Sequence, residues 1–405
     1  MNDAILWLWM QRLFGCGTRR AHEALFRFGT PQKLIELPGE LLTRDDFLTK
    51  EEKKAVMAAD FSEETRLFEK AVSLGWTALT PDCGGYPARL REIYSPPFLL
   101  WAKGKTELLF ETYAAAVVGT RHPDAYGERA ARKISTELAL GGGVVVSGFA
   151  NGIDLICHES ALSAGGDTIA VLACGPDVNY PFGREKLRER IAGQGLLLTE
   201  FAPGTPVRRG TFQIRNRLLS GLSLAVIVVQ AARRSGALIT AGHALAQNRD
   251  LYAVCGDIFS PKMAGCHKLL TEGASPVFSG LALLRGYEAV YGEPLSLLCP
   301  EEEIAARADP APEKHPAAKS DRPRTQKKTS PAPKSVPAFE SDQPPASLNE
   351  KQERVWRACR SGAGMDEICE SAGLGAGEVL SVLTQLEIFG LAQPLPGGRY
   401  RSLHP

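Results

Sequence analysis

The stretch that most constrains this chain is 114–154, AAAVVGTRHPDAYGERAARKISTELALGGGVVVSGFANGID. An apolar run, Ala114 to Val118, ends in Gly119-Thr120-Arg121, and an amphipathic segment of helical period follows. A second apolar run, Val144 to Val146, ends in Ser147-Gly148 and then Ala150-x-Gly152-Ile153-Asp154. Apolar run, glycine turn, helix and apolar run again is the pattern of a βαβ unit in a parallel sheet. Ligands of such sheets sit beyond the carboxyl ends of the strands. Both glycine turns and Arg121 fall there, so function is expected on that edge.

The alternation continues. Strands are expected at 114–118, 144–147, 168–173, 196–199, 224–230 and 251–255, with helices at 126–140, 154–164, 184–193, 212–221 and 237–247. The fold class is therefore α/β, an open, doubly wound, Rossmann-like parallel sheet. Residues 1–75 show helical period throughout and predict an N-terminal helical module. Its Gly15-Cys16-Gly17-Thr18 can turn N–H groups towards a DNA phosphate, in the manner of a helix-hairpin-helix or SAM-like module, or can simply join two packed helices. The proline-rich segments Tyr86-Pro87 and Pro96-Pro97 fasten that module to the sheet domain, which spans 76–299.

Ten of the 27 prolines lie in 300–346 among Lys, Glu, Ala and Ser. Such a stretch cannot bury enough apolar surface to offset its ordering entropy, and predicts a tether. Periodicity returns in 347–405: helices around Trp356, at Met365–Ala372 and from Glu378 to Phe389, then a short hairpin. That order predicts a C-terminal winged helix. Its third helix holds Glu378, Gln385 and Glu387 and no basic residue, so a protein-contact role stands beside a DNA role.

A net charge of +1 excludes a globally basic nucleic-acid binder but not a local basic pocket. Nine cysteines without a CxxC pair read as reduced thiols, and Cys266-His267 completes no zinc site. The N-terminus lacks the basic region and cleavage box of a signal peptide, and no stretch approaches a membrane span. A cytoplasmic protein is expected.

The turn Gly119-Thr120-Arg121-His122-Pro123 is not GxGxxG and the second strand ends without an acid, so no nicotinamide cofactor is expected. Glycines at 119, 148 and 152 instead let N–H groups approach an anion, with Arg121 adding a guanidinium fork matched to phosphate. A second cluster, Arg208-Arg209-Gly210-Thr211-Phe212-Gln213-Ile214-Arg215-Asn216-Arg217, sets four arginines around one ring. Cations and a stacking ring are what single-stranded nucleic acid requires. The alternative places Phe212 in the core and Arg215 or Arg217 in salt bridges to the sheet; Arg215 and Arg217, two apart on a helix, face different ways, so one of them is expected to be structural. Ser235-Gly236-Ala237 opens a further helix onto the same edge. No Ser–His–acid order, Walker loop or carboxylate pair marks a hydrolase; Glu200 and Asp257 read as structural acids, and His158 as a packed histidine.

These residues resemble the DprA (Smf) family, the DNA-processing proteins of bacterial transformation. The resemblance rests on Val117-Val118-Gly119-Thr120-Arg121, Ser147-Gly148-x-Ala150-x-Gly152-Ile153-Asp154, His158, Phe212-x-x-Arg215-Asn216-Arg217 and Ser235-Gly236-Ala237-Leu238-Ile239-Thr240-Ala241. It implies a non-catalytic protein that binds single-stranded DNA, dimerises through its Rossmann-like domain and loads the RecA recombinase. It also implies phosphate contacts for Arg121 and Arg209 and base stacking for Phe212. The chain departs from the family pattern at Gln213, at Gln230, at Cys255-Gly256 and at Gly265-Cys266-His267, and the last two leave any ligand contact of the 255–268 loop outside what the resemblance implies. The expected DNA-binding set is Gly119, Arg121, Ser147, Gly148, Arg209, Phe212, Arg215, Asn216, Arg217, Ser235 and Gly236. The competing readings are a nucleotide hydrolase or phosphoribohydrolase on the same glycine-rich crest, which requires a carboxylate in the pocket, and a duplex-binding regulator led by the winged helix.

Overall fold

The computed structural model describes residues 2–308, 348–360, 363–388, 391–395 and 399–402. They belong to two compact units, residues 1–317 and 318–405.

The larger unit is built on one nine-stranded sheet. Its strands are β1 (Thr77–Leu79), β2 (Leu100–Gly104), β3 (Ala114–Val118), β4 (Val144–Ser147), β5 (Thr168–Val171), β6 (Leu196–Thr199), β7 (Ala225–Val228), β8 (Asp250–Val254) and β9 (Ser275–Val277). The order is β1-β2-β6-β5-β4-β3-β7-β8-β9, parallel from β6 to β9 with β1 and β2 antiparallel at one edge. The six expected strands are all present. The segment read as a proline-fixed connection also supplies β1 and β2, and β9 is a further short strand whose Pro276 suits a sheet edge.

Strand β3 is covered on both faces, as a central parallel strand must be. Ala114, Ala116 and Val118 pack into one core with Leu218, Leu219 and Val226. Ala115 and Val117 pack into another with Ile134, Leu138 and Ile153. Strand order reverses on either side of β3, towards β4 one way and β7 the other, which makes this the switch point where a crevice opens.

The N-terminal module forms helices from Asp3–Phe14 to Ser62–Ser73. It shares a core with the sheet: Trp7, Trp9 and Phe14 lie in one cluster with Trp101, Leu172, Leu187 and Leu197. Its glycine turn is a packing joint, not an open phosphate cradle. Gly17 has φ +59°, and a Cβ there would lie 2.7 Å from Arg217 Nε and 2.8 Å from Ile214 Cγ2, on helix Arg209–Leu222. The first part of the expected tether is also folded. Glu301–Ala308 is a helix with Ile304 and Ala308 buried, while 309–346 lie outside the described residues.

In the smaller unit, helices Glu350–Ala358, Met365–Ala372 and Ala376–Ile388 enclose Val355, Trp356, Ile368, Leu383 and Leu386. Strand Arg399–Ser402 lies between Ala363–Gly364 and Ala392–Leu395, forming the wing. The expected turn at 396–398 lies outside the described residues. On the third helix, Glu378 pairs with Lys351 at 2.7 Å, and Leu380 stays 51% exposed.

His158 is the packed histidine expected from its helix. It is fully buried, with Nδ1 2.7 Å from Thr168 Oγ1. That hydroxyl already donates to Val145 O at 2.6 Å, so His158 Nδ1 carries the proton and donates. Burial, with Arg215 nearby, lowers its pKa from 6.5 to about 3. The unfolded chain therefore takes up a proton below pH 6.5 that the folded chain refuses, and stability falls as pH drops, by about 1.4 kcal/mol per unit. Between neutrality and about pH 5, wild type should lose about 2 kcal/mol more than His158→Gln in denaturant titrations. Equal losses would remove His158 from the account.

Candidate nucleic-acid interface

Three turns converge at the switch point. The loop after β3 carries Gly119, Thr120 and Arg121, and Thr120 N donates to Gln230 O at 2.8 Å. The loop after β4 bends through Phe149, a non-glycine at φ +53° held by burial. It then reaches Gly152 at φ +87°, where a Cβ would lie 2.4 Å from Thr120 O, so only glycine lets the two loops touch. The loop after β7 delivers Arg233, Arg234, Ser235 and Gly236 to the start of helix Ala237–Ala246.

Between them is a cavity of about 340 Å³ lined by Gly119, Thr120, Arg121, Asn151, Asp154, Phe212, Arg215, Asn216, Arg234, Ser235, Gly236 and Thr240. A broader cavity of about 690 Å³ adjoins it, lined also by Tyr180, Arg208, Arg209, Gln213 and Ile239. Arg121, Phe212, Asn216, Arg234, Ser235 and Gly236 line both. Ser235, Gly236 and Ala237 place the N-terminus of helix Ala237–Ala246 on this space, and its dipole favours an anion.

Phe212 stands half-buried at the junction. The Arg121 guanidinium lies 4.3 Å from its ring centroid, and Tyr180 meets it edge-on at 5.7 Å and 70°. Arg121, Arg208, Arg209 and Arg234 are exposed and form no ion pair among the described residues. Arg121 lies over the ring and Arg208, Arg209 and Arg234 line the same outer cavity, so positive charge gathers at its mouth.

The remaining expected site residues lie deeper. Arg215 is 3% exposed and donates Nη1 to Gly148 O and Val171 O. Burial lowers its pKa to about 10. It charges the pocket floor while holding the β4 and β5 turns together. Asn216 accepts from Arg215 Nε at 3.2 Å and reaches Gly236 O at 3.5 Å, joining two walls.

Three expectations are corrected. Ser147 is fully buried and donates to Val117 O at 2.7 Å, tying β4 to β3. Gly148 is buried beneath the Arg215 guanidinium. Arg217 is buried on the opposite side of its helix, with Nη2 2.5 Å from Glu200 Oε2. None of these three lines either cavity. The two-residue offset of Arg215 and Arg217 did split them, but both ended inside because this helix is covered on two sides.

Glu200 is thus the partner of Arg217, as a structural acid should be. Burial pushes its carboxyl upward against the opposing pull of that arginine. Gln11 Nε2 donates to Glu200 O at 2.9 Å, which anchors the N-terminal module to the same joint. Gln230 is explained by its neighbours: its Oε1 accepts from Asp124 N at 3.1 Å and its Nε2 donates to Asp124 Oδ2 at 2.9 Å. An ionised glutamate could not make the second bond. Asp124 in turn caps helix Ala125–Leu140 through Gly127 N at 3.0 Å.

Asp154 lies in the first turn of helix Ile153–Ala164 and accepts from Ala150 N at 3.3 Å. Burial raises its pKa, with Arg215 opposing. It is the carboxylate that lines the inner cavity. Sequence reasoning missed Arg234 and Tyr180. The Arg233-Arg234 pair before Ser235-Gly236 was a usable signal for the first; Tyr180 reaches Phe212 only through tertiary folding.

The family model described as DNA recombination-mediator protein A matches residues 77–287, and that described as DprA winged helix domain matches 339–398. Protein Smf of Synechocystis sp. is 37% identical over 332 residues, covering 80% of this chain and 79% of the relative. DNA processing protein DprA of Bacillus subtilis is 42% identical over 194 residues, 48% of this chain and 65% of the relative. The X-ray structure of DprA from Streptococcus pneumoniae is 33% identical, covers 69% of this chain and 97% of that protein, and has a TM-score of 0.61. Sheet, crest and winged helix agree with these matches, and the chain belongs to the DprA/Smf family of DNA-processing proteins.

Proposed function

We propose that this protein is a single-stranded DNA-binding scaffold that acts without catalysis. One observation carries the reading: four exposed arginines, in no ion pair among the described residues, line one cavity mouth with a half-buried phenylalanine and a helix N-terminus. Phosphates meet cations and N–H groups, and one base meets a ring face, so affinity is high in low salt and nearly indifferent to sequence. Arg121, Arg209 and Arg234 are the phosphate contacts, with Gly119, Ser235 and Gly236 offering backbone donors. Protection of the strand, hand-over to RecA, dimerisation through the Rossmann-like domain and a cytoplasmic setting rest on the family resemblance. No helix among the described residues is long and apolar enough to cross a membrane.

The test is anisotropy of a labelled single strand across salt concentrations, with duplex and mononucleotide as competitors. Arg121→Ala and Arg209→Ala should each weaken binding and reduce the salt slope by about one phosphate's worth. Unchanged slopes in both variants would remove the strand from this pocket.

One observation favours a second reading. Asp154 is a buried carboxyl in the inner cavity whose pKa burial raises against the pull of Arg215, the kind of group a nucleotide hydrolase or phosphoribohydrolase uses. Base release from a nucleoside monophosphate, abolished in Asp154→Asn, would establish that activity.

A further inference from the structure

The crest does not stop at the pocket. Where β8 and β9 end, beneath the start of helix Ala125–Leu140, lies a second cleft of about 230 Å³. Tyr126 and Phe278 are among its walls and are 40% and 70% exposed. Arg129 and Lys133 supply its charge, and no carboxylate lines it. Lys133 is paired with Glu137, whereas Arg129 is exposed and has no ion-pair or hydrogen-bond partner among the described residues. The Tyr126 hydroxyl donates to Cys255 O, which fixes that wall to the end of β8.

The cleft lies on the same carboxyl edge of the sheet as the pocket. Helix Ala125–Leu140 begins just beyond the Arg121 loop, and Lys262 Nζ donates to His122 O at 3.0 Å between the two. Lys262 adds a cation beside the Arg121 loop, with the Asp124 carboxylate next to it.

We infer that this cleft is a second contact for the same single strand, taking a further base against Tyr126 and Phe278 and a phosphate on Arg129. The inference rests on the single-strand reading of the pocket. An unpaired cation beside two exposed rings repeats the chemistry of Arg121 and Phe212, and the cleft is of single-base dimensions. A protein segment would call for an acidic complement or a longer apolar groove.

The experiment uses the full chain and two labelled oligothymidylates, one of about six nucleotides, filling the pocket alone, and one of about twenty, able to reach both sites. The double variant Arg129→Ala/Phe278→Ala should bind the longer strand about tenfold more weakly, with a shallower salt slope, and the shorter one as wild type does. Arg121→Ala should weaken both. Wild-type binding of the longer strand by the double variant overturns the inference, as does an equal loss on both lengths. So does a loss that tracks a changed sedimentation coefficient of the free protein, which would make the cleft a contact between copies. Failure of the pocket reading shows separately, as short-strand binding that Arg121→Ala leaves untouched, and it takes this inference with it.

Discussion

Glu200→Ala should destabilise the larger unit by about 3–5 kcal/mol, because it strands a buried guanidinium. Arg217 is 4% exposed, and its Nε and Nη1 meet no partner among the described residues, so Glu200 is its principal compensation. The loss is measured as a shift in the urea midpoint at constant slope. Replacing both residues by methionine should recover most of it, since the desolvation cost then disappears with the charge. A single variant as stable as wild type would mean that water or rearrangement satisfies Arg217 and that this joint does not hold the N-terminal module.

Phe212→Ala should lower single-strand affinity about 5- to 150-fold, the loss of one base stacked at about 1–3 kcal/mol. Phe212→Leu keeps apolar bulk without a π face and should lose nearly as much, whereas Phe212→Trp should bind well. Anisotropy with an oligothymidylate, alongside circular dichroism to show an intact fold, separates these cases. In the free protein Arg121 lies against the Phe212 ring. An incoming base must take the ring's other face or move Arg121 towards the phosphate. Leucine binding as tightly as phenylalanine would reduce Phe212 to packing.

Much of this was legible in the chain. Apolar runs ending in glycine mark strand-to-crest transitions because a fully buried parallel strand needs no polar alternation and its turn needs close backbone approach. The place of Arg121 follows from the same logic, whereas the pairing of Arg209 with Phe212 came from the family resemblance. Burial on a second side was not legible. Periodicity places Arg215 and Arg217 on different faces of one helix, but only the docked N-terminal module covers the second face. Arg234 and Tyr180 enter the site from loops whose meeting is a property of the whole sheet. Likewise β2 reads as a proline-flanked connection, because its partner β6 lies far along the chain.

That last pairing has a temporal consequence. Synthesis delivers Trp7, Trp9 and Trp101 long before Leu196–Thr199, which β2 must join and beside which Gln11 must find Glu200. At about 5–20 residues per second, the roughly ninety-residue interval keeps β2 waiting on the order of 5–20 s for its partner strand. The N-terminal module can bring Trp7 to Phe98 and Trp9 to Phe61 in that time, but its attachment to the sheet awaits synthesis of Leu196–Thr199.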